Sequence, residues 1–214
     1  YGLETWYLAA LEGDALKALL PTVVIRAPFR RSLAVSLAFC SYAGVLSDPS
    51  IDRSQVTSLF VDYLQEKGID DIELRECGRD SSSEVILVRN LARSPEELWK
   101  DLDAKVRNQV RKATKSGLVP RWGKDQLDDF YEVYSRNMHR LGTPSHSKDL
   151  FRSLVELLPA FSDILTIRVD DRAIAVMFLV GFNGKLSDLW ASSLREYDEL
   201  CPNMLMYWEA MRFG

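Results

Sequence analysis

Apolar residues recur along the chain with two periods. A period near two marks strands over Thr5–Leu11, Ala15–Ala27, Leu33–Leu37, Asp71–Glu76, Glu84–Leu91, Ile164–Val169, Ala173–Phe182 and Lys185–Ser192. The clearest alternation sets Ile72 and Leu74 against Glu73 and Arg75. Glu12-Gly13-Asp14 and Asp170-Asp171-Arg172 read as tight turns, and Asn183-Gly184 is a strong two-residue hairpin signal. Pro21 interrupts its run and predicts an edge or a bulge there, because proline donates nothing to a ladder.

A period of 3.6 marks helices. Val56, Leu59, Phe60, Tyr63 and Leu64 give one over Asp52–Lys67, stopped by Gly68. Leu127, Phe130, Tyr131, Tyr134, Met138 and Leu141 give another over Asp125–Leu141, stopped by Gly142. Ser147 caps a shorter helix that ends before Pro159, and Asn203–Phe213 forms the last. The pattern predicts one long helix over Ser94–Gly117, carrying Leu98, Leu102, Val106, Val110 and Ala113 on one stripe. Ser94 is its N-cap, Pro95 sits at the first helical position, and Glu97 completes a capping box.

One order of elements occurs twice: hairpin, third strand, helix. It runs over Thr5–Ala27, Leu33–Leu37 and Asp52–Lys67, then over Ile164–Phe182, Lys185–Ser192 and Asn203–Phe213. The sequence identity between the halves is negligible, so the repeat is one of architecture. The chain is thus expected to form an α/β (α+β) protein of two units, residues 1–83 and 84–214, each a mixed, mostly antiparallel sheet flanked by helices. Both ends read as cut, since the first residues already form a strand and the last helix stops at Gly214.

Charge is ordered along the long helix. Glu96, Glu97, Asp101 and Asp103 fill its first half; Lys105, Arg107, Arg111, Lys112 and Lys115 fill its second. Acid first and base last complements the helix dipole. So many bases in so short a run also suit an anion site for phosphate, pyrophosphate or an RNA backbone. Charge alone leaves both readings open.

The 214 residues hold 31 acids and 27 bases, a formal charge of −4. That excludes a protein that coats nucleic acid through its overall charge; any anion binding is local. Cys40, Cys77 and Cys201 are odd in number and form no CxxC pair, which fits a reducing compartment and neither a disulfide framework nor a zinc site. No apolar run reaches the roughly 20 residues of a membrane span, and no basic-then-apolar signal pattern is visible in these residues. The expected location is the cytoplasm, and no metal-binding spacing is visible.

Several runs together resemble FemAB-like proteins. Lys105-Val106-Arg107 through Val110-Arg111-Lys112-Ala113, with Lys115 and Gly117-Leu118, is similar to that group's K-x-R-x-x-I-R-K-A-x-K-x-G-L block. Ser36-Leu37-Ala38-Phe39 with Tyr42-Ala43-Gly44 looks like S-L-P-F-x-x-Y-G-G, departing at Ala38 and Ala43. Ile72-Glu73-Leu74-Arg75, Phe130-Tyr131 with Tyr134, Arg140-Leu141-Gly142-Thr143-Pro144, and Pro202-Asn203-Met204-Leu205 with Tyr207-Trp208 match further motifs in the same order. The resemblance covers nearly the whole chain, and its nearest branch is the one associated with exopolysaccharide and exosortase systems. It implies two tandem GNAT-like units and transfer of an amino acid from aminoacyl-tRNA to the amine of a peptidoglycan precursor. Family members continue past the last helix into a D-F-G-R-S-like strand and an F-K motif; this chain ends first.

The implied activity is an aminoacyl- or acyltransferase forming an amide on a cell-envelope precursor, peptidoglycan or exopolysaccharide. The precursor would be linked to a nucleotide or a lipid pyrophosphate, with tRNA as a further partner and DNA as none. No cofactor is expected to bind tightly. The stretch Ser192–Asn203, where ordinary GNAT enzymes cradle the CoA pyrophosphate on glycine-bearing backbone, has no glycine and several acids. That disfavours acetyl-CoA as donor and agrees with aminoacyl-tRNA. A conventional acyl-CoA N-acyltransferase and a non-catalytic precursor-binding module stay open.

The candidate substrate-binding residues are Lys105, Arg107 and Arg111 (with Lys112 in support), Tyr42, Arg75, Thr143, His146, Trp190, Ser192 and Asn203. Arg forks suit phosphate. Arg75 equally fits a salt bridge to Glu73, and Asn203 reads first as a helix cap. Of the two histidines, His139 reads as a surface or packed residue, while His146 lies in a loop after Thr143-Pro144-Ser145. No Ser/His/Asp set is visible, so the catalytic group is left unassigned.

Overall fold

The structure is a computed structural model describing residues 2–26, 30–40, 43–75, 87–91 and 94–214. The chain divides into two compact units, Tyr1–Ile86 and Leu87–Gly214.

In the first unit, β1 (Glu4–Glu12) and β2 (Ala15–Ile25) form an antiparallel hairpin about Gly13-Asp14. β3 (Leu33–Ser36) pairs antiparallel with β2, and the short β4 (Leu46–Ser47) pairs with β2 further along the same strand. α1 (Arg53–Glu66) then crosses to β5 (Asp71–Glu73), which lies parallel to β3. α1 starts where Asp52 accepts from the backbone N–H groups of Ser54 and Gln55. Its Val56, Phe60 and Leu64 bury against Leu8, Leu20, Val24 and Ala34 of the sheet. Pro21 sits neither on an edge strand nor at the hairpin's bulge, which falls at Ala10/Leu11. It lies where the second edge of β2 passes from β4, paired at Ala18 and Leu19, to β3, paired from Thr22 onward. A residue without an N–H fits that gap in the ladder.

The second unit opens with the stretch predicted as one long helix. It is two: α2 (Pro95–Asp101) and α3 (Ala104–Lys115). The capping box at Ser94 forms as predicted, with Ser94 and Glu97 each accepting the other's backbone N–H. The break falls at Leu102, which is extended (ψ 144°) and buried in the core. Three carbonyls near the end of α2, those of Trp99, Lys100 and Leu102, accept from the guanidinium of Arg107 one turn into α3. Terminal carbonyls that a continuous helix would satisfy itself are here satisfied by a cation.

Next come β6 (Val119–Trp122), α4 (Leu127–Arg140), α5 (Lys148–Leu157), β7 (Ser162–Val169), β8 (Arg172–Phe182), β9 (Lys185–Ser193) and α6 (Pro202–Phe213). The four strands pair antiparallel in the order β6-β7-β8-β9. β6 escaped the sequence pattern because it is four residues long and contains Pro120. The hairpin at Asn183-Gly184 has both residues at positive φ (47° and 70°), the backbone a two-residue turn requires. Residues 87–91, within a predicted strand, form no strand; the rest of that prediction lies outside the described residues.

The sheet of the second unit is covered on both faces. Leu165, Ile167, Met177 and Leu179 pack with Leu98, Val110, Ala113, Leu205 and Trp208 of α2, α3 and α6. Ile164, Val176 and Phe178 pack on the other side with Phe130, Val133, Tyr134 and Phe151 of α4 and α5. Phe130 is wholly buried, stacked on Tyr134 and edge-on to Phe151 and Phe178. Replacing Phe130 by Ala should lower the stability of this unit by about 3–5 kcal/mol, read as a fall in its chemical-denaturation midpoint.

Candidate functional site

The two-sided sheet sorts the predicted residues. Lys105, Arg107, Arg111 and Lys112 belong to α3, on one face; Trp190 and Ser192 of β9 turn to the opposite face, toward α4. The structure therefore does not bring the basic helix and the β9 residues into one site.

On the α4 face a polar chain runs inward from the surface. Arg140 donates through Nε and Nη2 to Asn137 Oδ1, at 3.2 and 2.8 Å. Asn137 Nδ2 donates to Ser192 Oγ at 3.2 Å. Asn137 and Ser192 are both buried, so each needs the other; an unpaired polar group at such depth costs about 1–3 kcal/mol. The loop after α4 is fixed beside this chain. Gly142 ends the helix at φ 71°, and the N–H groups of Gly142 and Thr143 return to His139 O and Met138 O. Thr143 is exposed at that turn.

The backbone of His146 is held from α4 on both sides. Tyr131 OH donates to its carbonyl at 3.2 Å, and its N–H donates to Tyr134 OH at 3.3 Å. Its ring meets Trp190 edge-on at 6.0 Å and Phe151 at 6.4 Å. Burial against these rings pushes its pKa below the ordinary 6.5, so the imidazole is neutral at pH 7. A neutral imidazole can accept a proton, and the Ser192 hydroxyl, bonded to Asn137, lies on the same sheet face. His146, Trp190 and Ser192 thus share one sheet face with Asn137 and Arg140, which the sequence reading left out. Arg140 stood in a quoted motif, and Asn137 sits three residues before it, on the buried side of an amphipathic helix.

Asn203 does not cap α6. Cys201, at φ 57°, holds that position and Pro202 begins the helix. The connection into it is a 3₁₀ turn, Arg195–Leu200, carrying Glu196, Asp198 and Glu199. Pro202 has no N–H, and that of Met204 turns back to Cys201 O. Tyr207 of α6 donates to Asp188 of β9 at 3.0 Å, and burial beside that carboxylate pushes its pKa up to about 12. It is a hydrogen-bond donor, not a base.

In the first unit Arg75 is occupied structurally. Its Nε pairs with Glu73 at 2.7 Å, its Nη1 donates to Cys40 O at 2.9 Å, and its backbone N–H donates to Ser36 Oγ. It ties the end of β5 to the loop after β3. Burial pushes the Cys40 thiol up, only partly offset by the Arg75 charge. Tyr42 lies outside the described residues.

On the α3 face, Arg107 is the bond between α2 and α3. Arg111 lies over the Trp99 ring at 5.3 Å and donates to Asn108 Oδ1. Lys105, Lys112 and Lys115 are exposed, with no carboxylate among the described residues in ion-pair range. A separate hollow of about 270 Å³ lies against Asp129, Glu132, Asp170 and Asp171. Asp129 there is already paired with Arg168, which also reaches Asp171 O.

Residues 100–214 match the sequence profile of the family described as an acetyltransferase (GNAT) domain. No curated protein sequence matches the chain. Among solved structures it is similar to FemX, at 11% identity and a TM-score of 0.69, over 99% of this chain and 76% of that one. It is also similar to the C-terminal domain of a protein described as lysylphosphatidylglycerol synthetase from Agrobacterium fabrum, at 12% identity and a TM-score of 0.59. That match covers 98% of this chain and 66% of the other. At these identities the likeness is one of fold.

The roles of Arg107 and Arg111 separate by stability. Arg107→Met should cost about 1.5–3 kcal/mol, the range for hydrogen bonds to a charged group. Arg111→Met should cost no more than about 1 kcal/mol, the exposed cation–π range. Thermal unfolding of the two variants measures both.

Proposed function

The chain belongs to the acetyltransferase (GNAT) domain family, and on that premise we propose that it forms an amide on a cell-envelope precursor, taking an aminoacyl or acyl group from a donor other than CoA. The observation that carries this reading is the entry to α6. An ordinary CoA pyrophosphate needs backbone N–H groups and no competing negative charge. Here Pro202 supplies no N–H, that of Met204 is engaged, and the approach carries Asp198 and Glu199 beside Glu196, which pairs with Arg136 at 2.7 Å. The FemAB-like motifs support aminoacyl-tRNA as donor and a peptidoglycan or exopolysaccharide precursor as acceptor, carried on a nucleotide or a lipid pyrophosphate.

An aminoacyl ester is already activated. The acceptor amine attacks the ester carbonyl carbon; the C–N bond forms and the C–O bond to the donor ribose breaks. The amine's proton passes through a base to the departing ribose oxygen. In this reading neutral His146 takes that proton, and its two tyrosine contacts and the Trp190 edge fix where it stands. The Ser192 hydroxyl, oriented by Asn137, donates to the developing oxyanion. Arg140, held by Asn137, meets an anionic part of a substrate.

The test supplies the protein with charged tRNA or acetyl-CoA, each with a UDP-linked muropeptide, and follows label into a product stable to hydroxylamine. Transfer from charged tRNA alone is expected; transfer from acetyl-CoA alone makes the protein a conventional GNAT enzyme. His146→Ala should lower kcat by about 10²–10⁴-fold, the usual worth of a positioned base. Because the folded pKa is depressed, the wild-type rate should hold on lowering the pH through 6.5 and fall only below it. A kcat unaffected by the substitution removes His146 from the mechanism.

A further inference from the structure

α3 is a helix without an acid. Its 12 residues carry five bases, of which Arg107 is spent on backbone carbonyls. Lys105, Arg111, Lys112 and Lys115 are exposed, and at 3.6 residues per turn they fall within an arc of about 120°. Ala104 and Asn108 complete that arc. The stripe runs from the first turn of the helix to its last, about 15 Å at 1.5 Å per residue.

The helix dipole accounts for part of the stripe and opposes the rest. It favours Lys112 and Lys115 in the last turn and disfavours a cation in the first. Lys105 is the second residue of α3, and the first turn holds no acid. Asp103, at the N-cap, makes no capping bond. Arg111 and Lys115 are like charges four residues apart, and Lys112 and Lys115 three apart, spacings at which repulsion works against a helix. Packing of Val110 and Ala113 into the core holds α3, while its outward charge strains it. A partner that neutralises the stripe relieves that strain.

The chemistry of the stripe narrows the partner. No large apolar side chain lies on the arc, whereas a protein interface is built around an apolar centre. The neighbouring Trp99 is covered by Arg111 at 5.3 Å and meets Trp208 edge-on, so it is not free to stack a base as single-stranded RNA requires. Three of the four cations are lysines, point charges on long flexible stems; the rigid fork that grips a single phosphate belongs to arginine. Point charges along one line suit a diffuse negative plane.

We propose that the outward stripe of α3 docks the protein on the surface of an anionic lipid bilayer. Each cation contributes through the surface potential, with no pocket and no inserted side chain. The contact is superficial, since no helix among the described residues is long and apolar enough to cross a membrane. The bilayer is a location here and not a substrate, so the assignment stands or falls apart from the transfer reaction.

The experiment is co-sedimentation of the protein with phosphatidylcholine vesicles containing about one-third phosphatidylglycerol, and with vesicles of phosphatidylcholine alone. Binding to the charged vesicles only is expected. It should vanish at about 1 M salt, where the Debye length falls to about 3 Å. Lys105→Gln with Lys112→Gln should weaken it about 25-fold, about fivefold for each charge removed. Lys105→Arg with Lys112→Arg should retain it. Lys67→Gln with Lys185→Gln, which changes the net charge equally away from α3, should leave it unchanged. The Gln variant of the stripe should unfold at or above the wild-type temperature, because it relieves repulsion within α3, so lost binding would not be lost folding. A lower unfolding temperature would make the lysines structural and overturn the proposal. Equal sedimentation with uncharged vesicles, indifference to salt or to the stripe substitutions, or an equal loss in the off-stripe variant would each overturn it too. So would tighter binding of a short single-stranded RNA or of polyglutamate than of charged vesicles, which would make α3 a nucleic-acid or protein contact.

Discussion

The antiparallel sheet of the second unit must be dry on both faces, and that constraint governs what the rest of the unit can do. Side chains alternate along β7, β8 and β9, so each commits to α2, α3 and α6 on one side or to α4 and α5 on the other. Two bulges, at Ile167/Arg168 and Phe178/Leu179, shift the register without mixing the faces. Each β9 side chain is therefore bound to one helical layer, Asp188 to α6 and Trp190 and Ser192 to the α4 side. Trp190 and Ser192 belong with His146, Asn137 and Arg140, and the basic helix works from the reverse side.

Much of this was legible from periodicity. The hairpins at Gly13-Asp14, Asp170-Asp171 and Asn183-Gly184, the helices after Asp52 and Leu127, and the repeated hairpin–strand–helix order follow local rules of turn and stripe, and the structure has them. What was hidden depended on contacts distant in sequence. Nothing local distinguishes Ser94–Gly117 as one helix from the same residues as two, because Leu98, Leu102, Val106 and Val110 keep helical spacing across the break. The deciding contact is a side chain from the following turn, Arg107, reaching back to carbonyls. The same holds for Asn137 and Ser192, 55 residues apart in sequence and joined by one bond.

Arg107 also shows why charge runs mislead. It sat in the densest basic stretch and looked like an anion ligand, yet its guanidinium meets three carbonyls. Arg75 is similar, a motif arginine that locks the end of β5 to a loop. Arg107 spreads its fork over converging backbone carbonyls, and Arg75 divides its own between the Glu73 carboxylate and the Cys40 carbonyl, tasks lysine's single ammonium does less well. The bases that remain outward, Lys105, Arg111, Lys112 and Lys115, are those not required by the backbone.

That separation bears on how a protein of net charge −4 meets an anion. Its long-range field repels a polyanion, and at physiological ionic strength the field decays over about 8 Å. Attraction must then come from cations close together and free of carboxylates. On α3, capping the break takes Arg107 out of that set, while Glu96, Glu97 and Asp101 stay on α2. The break in the helix thus keeps the acidic first half as a separate segment from the basic second half. α3 packs against α6 and turns outward an acid-free stripe of Lys105, Arg111, Lys112 and Lys115. The interruption that defeated the sequence pattern falls between the two charge blocks, and Arg107, the base spent on closing it, comes from the second.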